Sequence, residues 1–210
     1  MKYTQTMLNK IILASKSRVR KDILDKNNIE CVVEPSNVDE DPVKESLLKE
    51  QASAEIISKN LAELKANKIS MKKTDQIVLG ADSVIDLEGE LISKPESREE
   101  ALRILKKMNG KSHFLISSVC ISKNGSMIWN YTDKAKLTMK NFSEDELINY
   151  LSKIPDEKLY AYNVYQIEGE GRRLFASIEG DEDTIMGLPC LLYTSPSPRD
   201  AHESRMPSSA

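Results

Sequence analysis

Ile77-Val78-Leu79-Gly80-Ala81-Asp82-Ser83-Val84-Ile85 decides the fold of this chain. An apolar run of this length between polar residues reads as a buried strand. Gly80 and Ala81 leave room for another backbone or a ligand to come close. Asp82 is the single carboxylate of the run. It is expected where the strand leaves the core, at the lip of whatever cleft the sheet forms. Taken alone, an aspartate there could equally cap a turn or pair with a surface lysine.

The totals set limits on the rest. The 210 residues fit one domain, or one domain and a tail. Aromatic residues are only 5%, but hydrophobic residues reach 40% and recur periodically, so a packed core is expected. The net charge of -3 argues against broad binding to nucleic acid or an anionic membrane, while leaving room for a local basic pocket. No apolar run approaches the ~20 residues of a membrane span. The start, Met1 to Met7, leads into too short an apolar stretch for a secretion signal. Cys31, Cys120 and Cys190 have neither metal-ligand nor disulfide spacing and read as small core or near-core hydrophobes. Reducing cytoplasm is the expected compartment.

Outward from the central run, Lys10 to Ala14 reads as a first strand. Ser15-Lys16-Ser17-Arg18-Val19-Arg20-Lys21 follows, then a helix through Asp22-Ile23-Leu24. A helix N-terminus after a strand offers free N–H groups to an anion. Two hydroxyls and four cations reinforce that offer, and cations there oppose the helix dipole unless an anion accompanies them. The alternative is ordinary capping by Ser17 beside a solvated basic face. Nothing matches a glycine-rich P-loop. Glu30 to Val33 is a second strand. Pro35 to Pro42 is a loop rich in breakers and carboxylates, with Asp41 as N-cap and Pro42 opening a helix. Val43, Leu47, Ala54, Ile57, Leu61 and Leu64 fall at helical spacing, giving a long helix, with room for an interruption, that ends near Lys65-Ala66.

Beyond the central run, Val84–Leu87 and Glu90–Ile92 form a hairpin across Glu88-Gly89. Ser97-Arg98-Glu99-Glu100 and Ser143-Glu144-Asp145-Glu146 are capping-box sequences that open two more helices. Between them, His113–Ile121 and Met127–Met139 are long strands joined at Asn124-Gly125. Tyr160 to Ile167 alternates and reads as a strand running into the glycine-bearing loop Glu168 to Gly171; Leu174–Ile178 is another strand. The stretch from Glu179 to Pro189 is dense in glycine and acid, fitting tight turns or a loop around a ligand. From Tyr193 the composition turns serine- and proline-rich without periodicity and cannot fold alone. Residues 1–192 are therefore expected to form the domain. Residues 193–210 read as a disordered, non-native tail that resembles translated read-through of a sequencing adapter.

Taken together, LASKS with Arg20, Asp39-Glu40, the LAELKA segment ending at Lys65-Ala66, GADSV with Asp82, Lys94-Pro95, NGKSH with His113, QIEGEG, and IEGD followed by GLP resemble the Maf-like family of nucleoside triphosphate pyrophosphatases. Each motif alone is weak; their order and spacing, over roughly Ile11 to Pro189, are specific. The resemblance implies an α/β fold: an elongated twisted mixed β-sheet flanked by helices, with a nucleotide cleft, similar to inosine-triphosphatase-like proteins. It implies hydrolysis of a nucleoside triphosphate to the monophosphate and pyrophosphate, a divalent cation (Mg²⁺ or Mn²⁺) and a homodimer. It also implies a part in nucleotide-pool cleaning and arrest of cell division. Asp82 matches the family's general base, and Glu40 the acidic residue that helps it hold metal. Ser15, Ser17, Arg20, Lys65 and Lys94 match its triphosphate cradle. His113 reads as structural, holding a loop by hydrogen bonds.

Two departures stand out. Arg18 and Val19 occupy positions where many members have proline and arginine, so one cation of the cradle is missing unless Arg18 or Lys21 offsets it. Glu168 stands where the pyrimidine-preferring branch has glutamine, closer to the branch that prefers 7-methyl-GTP. A carboxylate accepts from guanine N1–H and its amine, but the Tyr160–Tyr165 lead-in fits neither branch, leaving purine and pyrimidine open. The competing readings are a nucleotide-binding regulator of cell division with weak turnover, and a phosphohydrolase acting on another class such as sugar phosphates.

Overall fold

The computed structural model describes residues 10–162 and 164–189. Met1 to Met7, Cys190 and the residues from Tyr193 onward lie outside the described residues. One seven-stranded mixed sheet runs β2-β1-β3-β5-β6-β7, with β4 also paired to β3. β1 (Ile11–Leu13) and β2 (Cys31–Val33) are parallel, so the chain must cross over between them, and α1 (Arg18–Lys26) makes the crossing. β1 also pairs in parallel with β3 (Val78–Leu87); the other pairings are antiparallel.

The expected long helix is two helices, α2 (Asp41–Lys49) and α3 (Ala54–Ser70). The chain turns between them at Gln51, whose φ is 56°, and Ser53 caps α3 by accepting from the Ile56 amide. Glu40, rather than Asp41, is the N-cap residue of α2, and Pro42 falls within its first turn, where a missing N–H costs nothing. Ile57, Leu61, Ala62, Ala66 and Ile69 are buried, which fixes α3 flat on one face of the sheet.

β3 differs from its expected form in a way that matters for function. Asp82 does not sit at a strand exit: β3 runs through it to Leu87, because β5 (Ser112–Lys123) pairs with β3 continuously from Val78↔Ser122 to Asp86↔Phe114. On the opposite side β3 has partners only at its ends. β1 pairs at Val78 and Leu79, and β4 (Glu90–Ile92) at Ile85 to Leu87. Among the described strands, none pairs on that side with residues 80–84. The sheet therefore has a notch at its middle, and Asp82 lies in it. Alternation along β3 turns Gly80, Asp82 and Val84 toward α3, and Leu79 and Ala81 toward α1 and Leu188.

The far end of the sheet carries the largest core. α4 (Arg98–Met108), β6 (Ser126–Met139) and α5 (Glu144–Ser152) pack there with Ile85, Ile92 and Leu115. Ser97 and Ser143 accept from the amides of Glu100 and Glu146, as the capping sequences predict, and the second box is complete in both directions. Among the described residues of the stretch from Tyr160 to Ile167 there is no strand, where one was expected. Pro155 and two acids open α6 (Asp156–Tyr162), and a turn and a 3-10 helix (Glu170–Leu174) lead to β7 (Phe175–Glu179). The alternation Tyr-Ala-Tyr comes from a helix that buries Leu159 instead. α7 (Glu182–Ile185), capped by Asp181, closes the described chain ahead of Gly187 and Leu188.

Candidate active site

The notch in the sheet opens into a cleft of about 550 Å³, a volume in the ordinary range for a small-molecule site. Asp82, on the floor, is buried, with its side chain 8% exposed. The Ser58 hydroxyl donates to its backbone carbonyl at 3.2 Å, which fixes the strand at that point. Lys65 reaches in from α3, with Nζ 2.6 Å from Asp82 Oδ1 and 2.8 Å from Glu40 Oε1. Lys44, one helical turn after Glu40, places Nζ 3.1 Å from Glu40 Oε2. Burial would push the Glu40 carboxyl up, but Lys65 and then Lys44 outweigh it and hold it at about 2. Asp82 Oδ2 is buried and has no hydrogen-bond partner.

The loop between β1 and α1 forms one wall. Ser17 caps α1 by accepting from the Arg20 amide, so the capping alternative describes its hydroxyl correctly, and the residue also lines the cleft. Ser15 Oγ accepts from the Ser17 amide and from Arg20 Nη1. Arg20 is heavily committed. Its Nε donates to Gly187 O at 2.8 Å, Nη1 to Ser15 Oγ at 3.1 Å and Ala81 O at 3.0 Å, and Nη2 to Ser83 Oγ at 3.1 Å. Four of the five guanidinium N–H groups are thereby used inside the protein. The Ala81 carbonyl belongs to the unpaired edge of β3, so Arg20 stands in for the missing strand and ties the segment at Gly187 to it. Gly187 has φ +87°, which leaves its carbonyl facing Arg20 without steric cost.

On the opposite wall, Lys94 follows β4. It is an exposed residue, yet its ammonium loses hydration at the cleft, which lowers its pKa, and Glu40 counters that only in part. Tyr165, Gln166, Ile167 and the exposed Glu168 line a further side. His113 Nε2 lies 2.8 Å from Tyr165 Oη in a buried cluster with Phe175, so His113 does hold this loop. Burial pushes its pKa down to about 4, and it is neutral at pH 7.

All the residues picked from the sequence, Ser15, Ser17, Arg20, Glu40, Lys65, Asp82, Lys94 and Glu168, border this one cleft. The suggested replacements for the missing cation do not. Arg18 and Lys21 lie outside it and pair along α1 with Asp22 and Asp25. Lys44 and Lys16 line it instead. Lys44 was missed, although the i, i+4 spacing from Glu40 across Pro42 was a usable signal. The Arg20–Gly187 contact, across 167 positions, left none.

Two carboxylates facing one point, one with a free buried oxygen, fit a Mg²⁺-type ion, which takes one or two protein carboxylates and completes its shell with water and phosphate oxygens. No group of three or more His, Cys, Asp or Glu suited to a metal occurs among the described residues. Against these two acids and Glu168 stand Lys16, Lys44, Lys65, Lys94 and Arg20, so the cleft is cationic in a chain whose net charge is -3.

An open mixed sheet notched at a carboxylate and ringed by lysines defines an α/β protein built to receive a polyanion. The family model described as Maf-like protein matches residues 10–195, and the chain belongs to that family. A relative named nucleoside triphosphate pyrophosphatase, from Pelagibacter ubique, is 76% identical over 183 residues, covering 87% of this chain and 94% of that one. A relative named 7-methyl-GTP pyrophosphatase, from Brucella suis, is 36% identical over 185 residues, covering 88% and 93%. Among solved structures, a dITP/XTP pyrophosphatase from Mycobacterium abscessus aligns at 14% identity with a TM-score of 0.38, covering 63% of this chain and 74% of that one; that likeness is too slight to carry an argument.

Proposed function

We propose that this protein hydrolyses a nucleoside triphosphate between its α- and β-phosphates, releasing the monophosphate and pyrophosphate. The observation that carries the reading is the unpartnered, buried Asp82 Oδ2 in a lysine-ringed cleft. Asp82 is the general base: its carboxylate lines the cleft, one of its oxygens has no protein donor, and it would orient a water and take its proton. Glu40 and Asp82 would hold the divalent cation, Mg²⁺ or Mn²⁺. When bound, that ion supplies Lewis-acid charge to the phosphoryl oxygens. Lys65, Lys94 and Lys44 meet the charge that collects on the departing pyrophosphate. Ser15 and Ser17 offer hydroxyls, and the start of α1 offers free amides, to phosphate oxygens. Arg20 contributes its one remaining N–H and holds the wall in place. Glu168, with Gln166 beside it, reads the base.

The domain spans residues 1–192, and 193–210 is foreign to it. The chain acts in the cytoplasm as a homodimer, without nucleic acid or membrane. The role of clearing particular or modified nucleotides is part of this reading. One observation favours the alternative of a weakly active nucleotide-binding regulator: Arg20 has little donor capacity left for substrate.

The test is a product assay with Mn²⁺ against UTP, dTTP, CTP, GTP, 7-methyl-GTP and 5-methyl-UTP. Monophosphate with pyrophosphate from a subset supports the reading and names the base. Orthophosphate, or silence from folded protein, contradicts it.

A further inference from the structure

Lys65 occupies the place where a cation would have to enter. Glu40 and Asp82 have four carboxylate oxygens between them. Lys65 Nζ holds Asp82 Oδ1 at 2.6 Å and Glu40 Oε1 at 2.8 Å, and Lys44 Nζ holds Glu40 Oε2 at 3.1 Å. Only Asp82 Oδ2 is free. The Lys65 side chain is 12% exposed, so its ammonium has exchanged most of its water for these two carboxylates. A divalent ion binding both acids would sit ~2.1 Å from their oxygens. An ammonium within 3 Å of the same atoms would then face two positive charges at close range in a poorly hydrated site, where Coulomb repulsion is several-fold stronger than in water. Lys65 and the metal cannot share Oδ1 and Oε1.

We infer that Lys65 is the resident counter-ion of the metal site and that divalent metal displaces it. Nucleotide favours the exchange. The lysine leaves two carboxylates for the phosphate oxygens in the same cleft and keeps an anionic partner throughout. Metal without nucleotide strands the ammonium, so the free protein binds metal poorly. Metal and nucleotide therefore bind with positive cooperativity, each raising the affinity for the other by the same factor. Lys44 is the lesser barrier, since it holds one oxygen and is more exposed. The inference rests on the proposed metal site at Glu40 and Asp82.

The experiment measures Mn²⁺ affinity by electron paramagnetic resonance, at low salt and without nucleotide, for the full chain and for Lys65→Met and Lys65→Gln. Circular dichroism and thermal melting confirm folding of each variant; two substitutes of different polarity guard against a failure specific to one. Removing the ammonium should tighten Mn²⁺ binding at least tenfold in whichever variants fold. Adding an α,β-methylene nucleoside triphosphate should tighten binding to the wild-type chain by a comparable factor and to the variants by much less. Equal or weaker Mn²⁺ binding by both folded variants overturns the inference while leaving the pyrophosphatase reading intact. No site-specific Mn²⁺ binding to any form, with or without the analogue, overturns the inference and the proposed metal site together. Absence of turnover, by itself, bears only on the proposed function.

Discussion

Gly80→Ala tests the link between the packing of α3 and the chemistry at Asp82. Gly80 faces α3, and a Cβ there would lie 2.3 Å from Ala62 O, 2.7 Å from Ala66 N and 2.9 Å from Ala66 Cβ. Ordinary contact begins near 3.4 Å, so helix and strand must part by about 1 Å, and backbone atoms cannot swing aside as a flexible side chain can. Overpacking of this kind costs ~1–3 kcal/mol. In a domain of this size that lowers Tm by roughly 2–12 °C. The same shift moves the backbone of α3 that carries Lys65, next to Ala66, relative to the backbone of β3 that carries Asp82, two residues from Gly80. A 1 Å misplacement near reacting groups costs ~10²-fold in rate. Stability is read by urea and thermal unfolding, and turnover by pyrophosphate release well below the melting temperature. A variant as stable as wild type, or one destabilised but with undiminished turnover, would refute the claim that α3–β3 contact sets the site geometry.

Lys44→Ala should lower kcat/KM for the nucleotide about tenfold, ~1.4 kcal/mol, with the loss falling on kcat, and the effect should shrink with added salt; an unchanged kcat/KM at low ionic strength removes Lys44 from the cradle. His113 is held neutral, with its pKa lowered from 6.5 to about 4, so the unfolded chain takes up its proton first on acidification. The stability it contributes is complete above pH 6.5 and is lost as pH falls toward 4, on the order of 3 kcal/mol in all. His113→Gln should flatten the pH dependence of the urea midpoint across that window, and an unaltered slope would contradict the assignment. Ending the chain at residue 192 should leave melting temperature and turnover unchanged; loss of folding would show that residues 193–210 belong to the domain.

Much of this was legible in the sequence because it is local. The hairpin at Glu88-Gly89, the two capping serines and the apolar spacing of α3 each follow from neighbours within a few positions. Ser15, Ser17, Arg20, Glu40, Lys65, Asp82, Lys94 and Glu168 also converge on one cleft. The notch was hidden, because it depends on β1 stopping at Leu13 while β3 runs on against β5, a comparison of strand lengths across the sheet. The commitment of Arg20 was hidden for the same reason, since its acceptors Ala81, Ser83 and Gly187 are remote in sequence. Tyr160–Ile167 was misread through its alternating pattern, though Pro155 and the acids at Asp156 and Glu157 were a helix-start signal in plain view.

The central claim is that Asp82 is the base of a nucleotide pyrophosphatase, and Asp82→Asn tests it most directly. The substitution keeps shape and removes proton affinity. On one folded sample of each protein, pyrophosphate release is measured with Mn²⁺ and the preferred triphosphate, and nucleotide affinity by calorimetry in the absence of divalent metal. The account predicts turnover reduced ~10²–10⁴-fold with affinity largely retained. Turnover within a few-fold of wild type, with monophosphate and pyrophosphate still released in equal amounts, would take Asp82 out of the mechanism and contradict the account.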